Sequence, residues 1–148
     1  MIREIRYEEL KVASDVLWES FYDAEKNNHT MAGMEYFRDL VEPVSLSINT
    51  FDGQIQLFGY FAGESLLAVG AIKQKKHILM LYVLPNSQKM GIGKKLLAFL
   101  ESKCDAKELT LNSSDVALPF YQNFGYVVCG ERNEKDGLIS TPMRKTII

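Results

Sequence analysis

The sequence has few of the residues that mark disulfide-rich, metal-binding or membrane proteins. Its two cysteines, Cys104 and Cys129, form no CxxC pair, so neither a redox pair nor a metal site is predicted. The two histidines, His29 and His77, are too scattered to suggest metal ligands. No run approaches the roughly 18 apolar residues of a membrane helix, and charges from Arg3 onward exclude a signal core. We therefore expect a cytoplasmic protein without a metal or a membrane partner.

The whole chain has no large excess of charge of either sign, but its two parts differ in charge. The net charge is −2, so no basic field attracts nucleic acid, and we expect no nucleic-acid partner. Residues 1–53 hold eleven acids and five bases, whereas the remainder holds eight acids and twelve bases. This asymmetry would suit a cationic substrate beside an anionic cofactor, although a solvated helix face explains any single charge equally well.

The chain is long enough for one domain, 1–148, and 47% of its residues are hydrophobic. Apolar periodicity and turn residues predict its elements in order. They are a strand at 2–6, helices at 8–25 and 31–41, strands at 54–62, 66–73 and 77–84, a helix at 93–104, a strand at 108–112, a helix at 116–124, and strands at 126–131 and 138–148. This order predicts an α/β (mixed α+β) fold with a central mixed β-sheet flanked by helices.

The most informative stretch joins the apolar strand at 77–84 to the helix at 93–104 through Gly91 and Gly93. The first N–H groups of a helix lack internal partners and carry partial positive charge, so such a turn binds phosphate. Glycines let a diphosphate approach the backbone, and Lys89, Lys94 and Lys95 add charge. The dinucleotide fingerprint would need a third glycine at position 96, and the P-loop pattern is absent. A tight turn that binds no ligand remains an alternative.

The segment Gln88–Gly93 resembles the Q/R-x-x-G-x-G/A motif of the GNAT acetyltransferase family, and 81–85 resembles its usual lead-in. The element order is similar to the GNAT fold over nearly the whole chain. The resemblance implies acetyl-CoA as acyl donor, with its pantetheine arm on the backbone of strand 77–84 and its diphosphate at the helix N-terminus. The cofactor-binding residues would be Leu81, Tyr82, Val83, Gln88, Lys89, Met90, Gly91, Ile92, Gly93 and Lys94. It also suggests a backbone N–H near Tyr82–Val83 as oxyanion donor.

A second segment, Phe120–Tyr126, resembles the family signature F/L-Y-x-x-x-G-F/Y and carries the general acid over onto Tyr121. When an amine attacks the thioester, a thiolate leaves and must be protonated. A phenol with a pKa of about 10 can donate to a thiolate whose thiol has a pKa of about 8.5. Alternatively, Tyr121 is only a core aromatic. Asn112 and Ser114 are further candidates for hydrogen bonds to pantetheine or substrate.

The general base is not identified by the sequence. Many family members carry a glutamate where this chain has Thr110, which cannot act as a base near neutral pH. An alkyl ammonium, with a pKa near 10.4, must nevertheless lose a proton. The candidates are His77, Glu25 and a water chain.

The resemblance places the amine pocket between the first two helices and the last hairpin. That pocket would use Phe21, Tyr22, Glu25, Tyr36 and Phe37, with the loop at 131–137. We expect an N-acetyltransferase acting on a small-molecule or peptide primary amine. The alternatives are a coenzyme A-binding regulatory or sensor module without turnover, and a structural domain without a ligand. Because members often dimerise, the family resemblance leaves a homodimer open.

Overall fold

The N-terminal third of the chain is mainly helical in the computed structural model, which describes residues 1–147. A short strand and a 3₁₀ turn at Tyr7–Glu9 precede three helices. These elements are β1 (Ile2–Glu4), α1 (Leu10–Glu25), α2 (Met31–Leu40) and α3 (Pro43–Thr50). The Thr30 side chain caps α2 by accepting a hydrogen bond from the Gly33 amide.

The remaining two-thirds of the chain supply most of the strands. They are β2 (Ile55–Ala62), β3 (Ser65–Lys73), β4 (His77–Val83), β5 (Glu108–Ser113), β6 (Val127–Val128), β7 (Asn133–Lys135) and β8 (Leu138–Thr146). Two helices interrupt them, α4 (Ile92–Lys103) and α5 (Leu118–Asn123). The sheet order is β1-β2-β3-β4-β5-β8-β6, with β7 paired to β8. Among the described residues, only β4 and β5 pair in parallel, because α4 crosses between them. The predicted mixed sheet flanked by helices is confirmed.

The parallel pair opens into a gap. β4 and β5 are paired only at His77 with Thr110 and at Ile78 with Leu111, although both strands continue further. The β3–β4 register shifts at the same level, since Ala71 pairs with Met80 whereas Ile72 pairs with Ile78. Leu79 is therefore an extra residue, as in a β-bulge, which bends and twists a strand. Past this point the two strands do not pair, which leaves the gap between them.

Two apolar clusters cover the two faces of the sheet. One packs α1, α2 and α3 against the sheet, and the other packs α4 and α5 against its opposite face. Phe21 and Phe37 stack in the first cluster with ring centroids 3.7 Å apart. Leu96 and Leu100 of α4 are fully buried in the second. Helices on both faces hold the strand ends that border the gap.

The structure differs from the prediction at three elements. Helix α3 was not predicted, because Pro43 was interpreted only as the end of the preceding helix, whereas it also starts α3 in its first turn. The strand predicted at 126–131 is confined to Val127–Val128, and β7 forms where a loop was predicted. Asp136 and Gly137 both have positive φ, which suits the two-residue turn of the β7–β8 hairpin. The last residue of the strand predicted at 138–148 lies outside the described residues.

Within residues 1–147, no helix combines the length and the apolar character needed to span a membrane. The same residues contain no group of three or more His, Cys, Asp or Glu side chains arranged to hold a metal ion.

Candidate active site

The glycine turn, residues 88–93, lies between the end of β4 and the start of α4. Gly91 is the N-cap of α4 and adopts φ +76°, a left-handed conformation that favours glycine. The first turn of α4 contains no acidic residue. The free N–H groups of that turn and the side chain of Lys94 therefore make the helix N-terminus positive. The Gln88 side-chain amide donates to the Val83 carbonyl over 3.1 Å and thereby ties the loop to the end of β4.

A cleft of about 550 Å³ runs from this helix terminus along the end of β4 to α5. The apolar side chains of Val116, Ala117, Phe120 and Phe124 form its far wall. Nine of the predicted cofactor-binding residues and the predicted acid border it. They are Leu81, Tyr82, Val83, Gln88, Lys89, Gly91, Ile92, Gly93, Lys94 and Tyr121.

The other three predicted residues lie elsewhere. The Met90 side chain is 63% exposed and does not border the cleft. Asn112 and Ser114 lie deeper, in the gap between β4 and β5 and in a neighbouring cavity. Ser114 is also committed to local structure, since its hydroxyl accepts from the Ala117 amide over 3.2 Å.

The cleft suits a long ligand that is anionic at one end. At one end lie the unpaired amides of α4, and in the middle the edge of β4 has no neighbouring strand. Ser20 borders the cleft, and its buried hydroxyl has no hydrogen-bond partner among the described residues. A ligand with phosphate at the helix N-terminus, amide groups along β4 and a thioester near Tyr121 would match these features.

Tyr121 lies at the inner end of the cleft. It is on α5, which has Pro119 in its first turn and is followed by Gly125 at φ +93°, as the sequence predicted. The side chain is almost fully buried, and its ring packs edge-to-face against Tyr126 at 5.6 Å. Burial, and then the nearby negative charge of Glu25, raise the pKa of Tyr121 well above its usual value. The phenol therefore stays protonated at neutral pH.

Glu25, at the end of α1, is buried beside Tyr121 and forms a pair with His29. Its carboxylate lies 2.7 Å from the His29 Nε2 atom, and the two side chains are only 5% and 3% exposed. The other ring nitrogen, Nδ1, accepts a hydrogen bond from the Ile139 amide over 2.9 Å. Because that backbone group can only donate, His29 carries its proton on Nε2, and this N–H group donates a hydrogen bond to Glu25. Burial and the Glu25 carboxylate also raise the pKa of Tyr82.

A second cavity, of about 400 Å³, meets the cleft at Glu25 and Tyr82, which border both. Of the residues predicted for the amine pocket, Phe21, Glu25, Tyr36 and Phe37 border it, as do Asn133, Lys135 and Asp136 of the hairpin. Tyr22 does not, since it points outward and packs on Trp18 with ring centroids 5.6 Å apart.

His77 lies at the opposite end of the second cavity. Its Nδ1 atom is 2.7 Å from the Thr110 hydroxyl, and burial together with the charge of Lys73 lowers its pKa. Along β4, His77 and Tyr82 are five residues apart, or roughly 15 Å. The structure therefore separates the two base candidates, with Glu25 beside Tyr121 and His77 far from it.

Sequence reasoning missed two residues that border this site, His29 and Lys73. His29 lies in the turn that follows α1, four residues after Glu25, and the helical spacing rule does not extend past the end of the helix. Lys73 carried no signal, because only the β3–β4 register brings it opposite His77.

Comparisons with known proteins identify the family. A family model described as an acetyltransferase (GNAT) domain matches residues 7–147. A GCN5-related N-acetyltransferase from Rhodopseudomonas palustris superposes with a TM-score of 0.87 at 22% identity, covering 99% of this chain and 94% of that one.

Two structures solved with coenzyme A share the fold. The PaiA N-acetyltransferase from Thermoplasma acidophilum has a TM-score of 0.81 at 24% identity, with 99% and 98% of the chains covered. An aminoglycoside 6'-N-acetyltransferase has a TM-score of 0.65 at 14% identity, with 100% and 97% covered. No curated protein sequence matches the chain. Since the family model covers nearly the whole sequence, the chain belongs to the GNAT acetyltransferase family.

Proposed function

We propose that this protein is an N-acetyltransferase that moves an acetyl group from acetyl-CoA directly to a primary amine. One observation carries the proposal: the cleft that begins at the glycine turn also borders Tyr121, and it meets a second cavity at Glu25 and Tyr82. A donor and an acceptor can thus approach one point from two sides, as direct transfer requires.

The donor would lie in the cleft. The α4 amides and Lys94 would bind its diphosphate, and the unpaired edge of β4 at 81–83 would hydrogen-bond its pantetheine amides. Acetyl-CoA supplies the acetyl group as an activated thioester. The related structures solved with coenzyme A support this choice of donor.

Tyr121 would act as the general acid. As the amine nitrogen bonds to the carbonyl carbon, the carbon–sulfur bond breaks and the thiolate takes the phenolic proton. The environment that raises the pKa of Tyr121 keeps the hydroxyl protonated, and the same burial raises the proton affinity of a thiolate beside it.

Glu25 would receive the acceptor and take its proton. Its carboxylate is the acidic group that borders both the cleft and the second cavity. The hydrogen bond from His29 fixes its orientation, and the Ile139 amide fixes His29 in turn. Proton removal from the ammonium frees the lone pair that attacks. His77 lies roughly 15 Å from Tyr82 along β4, so it would not take the proton from the amine.

The Tyr121→Phe variant tests the acid. We expect thiol release to slow by about 10²- to 10⁴-fold with the best amine, while the stabilisation by coenzyme A is unchanged. Tyr126→Phe is the matched control, because its hydroxyl donates to Glu101 over 2.8 Å and faces away from the cleft. Equal rates for Tyr121→Phe and the unmodified protein would refute the assignment.

Glu25→Gln tests the base. The glutamine oxygen can still accept from His29 Nε2, so the local structure is kept while the basic group is lost. We expect kcat to fall at neutral pH and part of the loss to be recovered at high pH, where free amine is more abundant. An unchanged pH–rate profile would exclude Glu25.

A coenzyme A-binding sensor without turnover is the second candidate. It was suggested by Thr110 at the position of the family glutamate. The Thr110 side chain is engaged by His77 rather than facing Tyr121. Stabilisation by acetyl-CoA without thiol release over a broad amine panel would favour the sensor.

A further inference from the structure

We infer that the acceptor is a small primary amine that also carries an anionic group, with its ammonium at Glu25 and its anion at Lys73. The inference rests on the proposed function, in which the second cavity receives the amine. It concerns the charge at the end of that cavity farthest from Tyr121.

The two ends of the cavity have opposite charge. At the inner end, the Glu25 carboxylate is buried and accepts a hydrogen bond from His29. At the outer end, Lys73 lies opposite His77 in the β3–β4 pair, and both border the cavity. Among residues 1–147, Lys73 forms no ion pair. Burial, and then the charge of Lys73, lower the pKa of His77, in line with their pairing across the two strands.

The β-bulge aligns these groups. Side chains alternate along a regular strand, so His77 and Tyr82, five residues apart, would face opposite sides of the sheet. The extra residue at Leu79 restores them to the same side, and both border the cavity. Lys73 lies on that side as well. The charged groups therefore face one space, roughly 15 Å long between the two strand positions.

The charge of the whole lining disfavours a polycation. The acids Glu25 and Asp136 are matched by Lys73 and Lys135. A polyamine or another multiply charged amine would bring its second ammonium toward Lys73, and like charges repel. A carboxylate or phosphate on the acceptor would instead meet Lys73, while Asn49 and Thr50 of α3 offer neutral hydrogen-bonding groups nearby.

The walls of the cavity favour a small molecule. The hairpin is joined to the α1–α2 segment by hydrogen bonds from Thr30 to the Gly137 carbonyl and from the Ile139 amide to His29. These bonds hold the hairpin over one side of the cavity, and α3 covers another. A volume of about 400 Å³ is typical of a small-molecule site.

The experiment compares three acceptor series of equal chain length: ω-amino carboxylates, n-alkylamines and α,ω-diamines, with an aminoalkyl phosphate as a second anionic probe. Thiol release is measured with saturating acetyl-CoA, and equilibrium binding is measured by calorimetry with coenzyme A present. We expect the anionic amines to have the highest kcat/KM and the tightest binding, and the diamines the lowest. A diamine that matches or exceeds the anionic amines would overturn the inference.

Variants at Lys73 locate the effect. Lys73→Gln should lower kcat/KM for an amino carboxylate about fivefold through KM and leave the alkylamine unchanged, whereas Lys73→Arg should retain the preference. Lys73→Glu should shift the preference toward diamines. Lys75→Gln is the matched control, because that neighbouring lysine does not border the cavity. An equal effect of Lys73→Gln on all three series would contradict the inference.

The two proposals fail in different ways. If acetyl-CoA binds and alkylamines are acetylated as well as anionic amines, the inferred acceptor is wrong and the proposed acetyltransferase function is retained. If acetyl-CoA neither stabilises the protein nor releases thiol with any amine, and calorimetry detects no anionic amine, both fall. If coenzyme A binds without turnover, calorimetry alone decides whether the cavity prefers anionic amines.

Discussion

Gly91 and Gly93 occupy the same turn for different physical reasons. Gly91 has φ +76°, and a Cβ there would meet no other atom within 4 Å, so only the backbone conformation demands glycine. Gly93 lies within α4 without such a conformation, and a Cβ would make ordinary contacts with Phe120 at 3.5 Å and Val83 at 3.7 Å. The folded chain tolerates a methyl group at Gly93, but the cleft that it borders would be narrowed.

Gly93→Ala should therefore separate binding from stability. We expect the free energy of unfolding to stay the same or to rise by up to about 1 kcal/mol, since alanine favours a helix. The affinity for coenzyme A should fall at least about tenfold. Gly91→Ala, in contrast, should cost about 1 kcal/mol through its left-handed backbone. Urea unfolding and calorimetry measure both quantities, and wild-type affinity in Gly93→Ala would contradict close diphosphate approach.

Glu9 predicts an acid-dependent loss of stability away from the site. Arg3 forms two hydrogen bonds to its carboxylate, at 2.9 and 2.7 Å, and the Arg6 amide donates a third at 2.8 Å. The Arg3 bonds, followed by the Arg6 amide and the positive charges, lower the pKa of Glu9 from 4.5 to about 2. Because the folded-state pKa is depressed, the stabilisation is present above pH 4.5 and is lost as the pH falls toward 2.

Glu9→Gln should reduce the free energy of unfolding by about 1–2 kcal/mol at pH 7, a figure that allows for solvent screening of a partly exposed pair. The difference from the unmodified protein should shrink below pH 4.5 and vanish near pH 2. Chemical denaturation across this range measures it. Glu64→Gln, in the exposed β2–β3 turn, is the control, and a pH-independent difference would disprove the linkage.

At the scale of elements, the contact between α2 and the β7–β8 hairpin forms one wall of the second cavity. The Gly137 carbonyl accepts from the Thr30 hydroxyl over 2.9 Å and from the Thr30 amide over 3.2 Å. A Cβ on Gly33 would overlap that same carbonyl, so the two glycines permit the close approach. The hairpin position thus depends on a backbone-to-backbone contact that only glycine allows.

Gly33→Ala should destabilise the fold by about 2–3 kcal/mol, because a fixed backbone group must move. It should also raise KM for the amine more than it weakens binding of coenzyme A, since the hairpin borders the second cavity. Glu35→Ala, on an exposed position of the same helix, is the control. A Gly33→Ala protein with unchanged stability and unchanged KM would show that the hairpin is held by other contacts.

At the scale of the whole molecule, a gap between β4 and β5 divides the sheet. Past Ile78 and Leu111 the amides of β4 and β5 that face each other have no strand partner. These groups would pair with a bound pantetheine, so ligand binding should join the two halves of the sheet.

Hydrogen exchange tests this behaviour. Amides at 80–83 and 112–113 that face the cleft should exchange rapidly in the free protein and become protected with coenzyme A, together with those at the start of α4. Amides in the β2–β3 ladder, which are paired from Ile55–Lys73 to Ala62–Ser65, should change only as far as global stability rises. Protection confined to the β2–β3 ladder would contradict the proposed placement of the coenzyme.

Local patterns were enough to predict most elements and the turn at Gly91. The alternation or continuity of apolar residues follows from the sheet and helix periods, so the sheet and helices α1, α2 and α4 could be predicted. Helix α3 could not, because a proline ends one helix and starts the next with equal ease. The short β6 and β7 depend on which residues of β8 face them, which no local pattern encodes.

The sequence by itself determined the glycine turn at Gly91 and the family signature around Tyr121, because both are contiguous and depend on backbone conformation within a few residues. Only the tertiary structure decided the rest of the site. Glu25 lies beside Tyr121 although 96 positions separate them in the sequence, and Lys73 faces the same cavity through a strand register and a bulge. The acid–base pair that we propose and the acceptor that we infer therefore depend on the fold, because only the packing of distant segments brings these groups to one site.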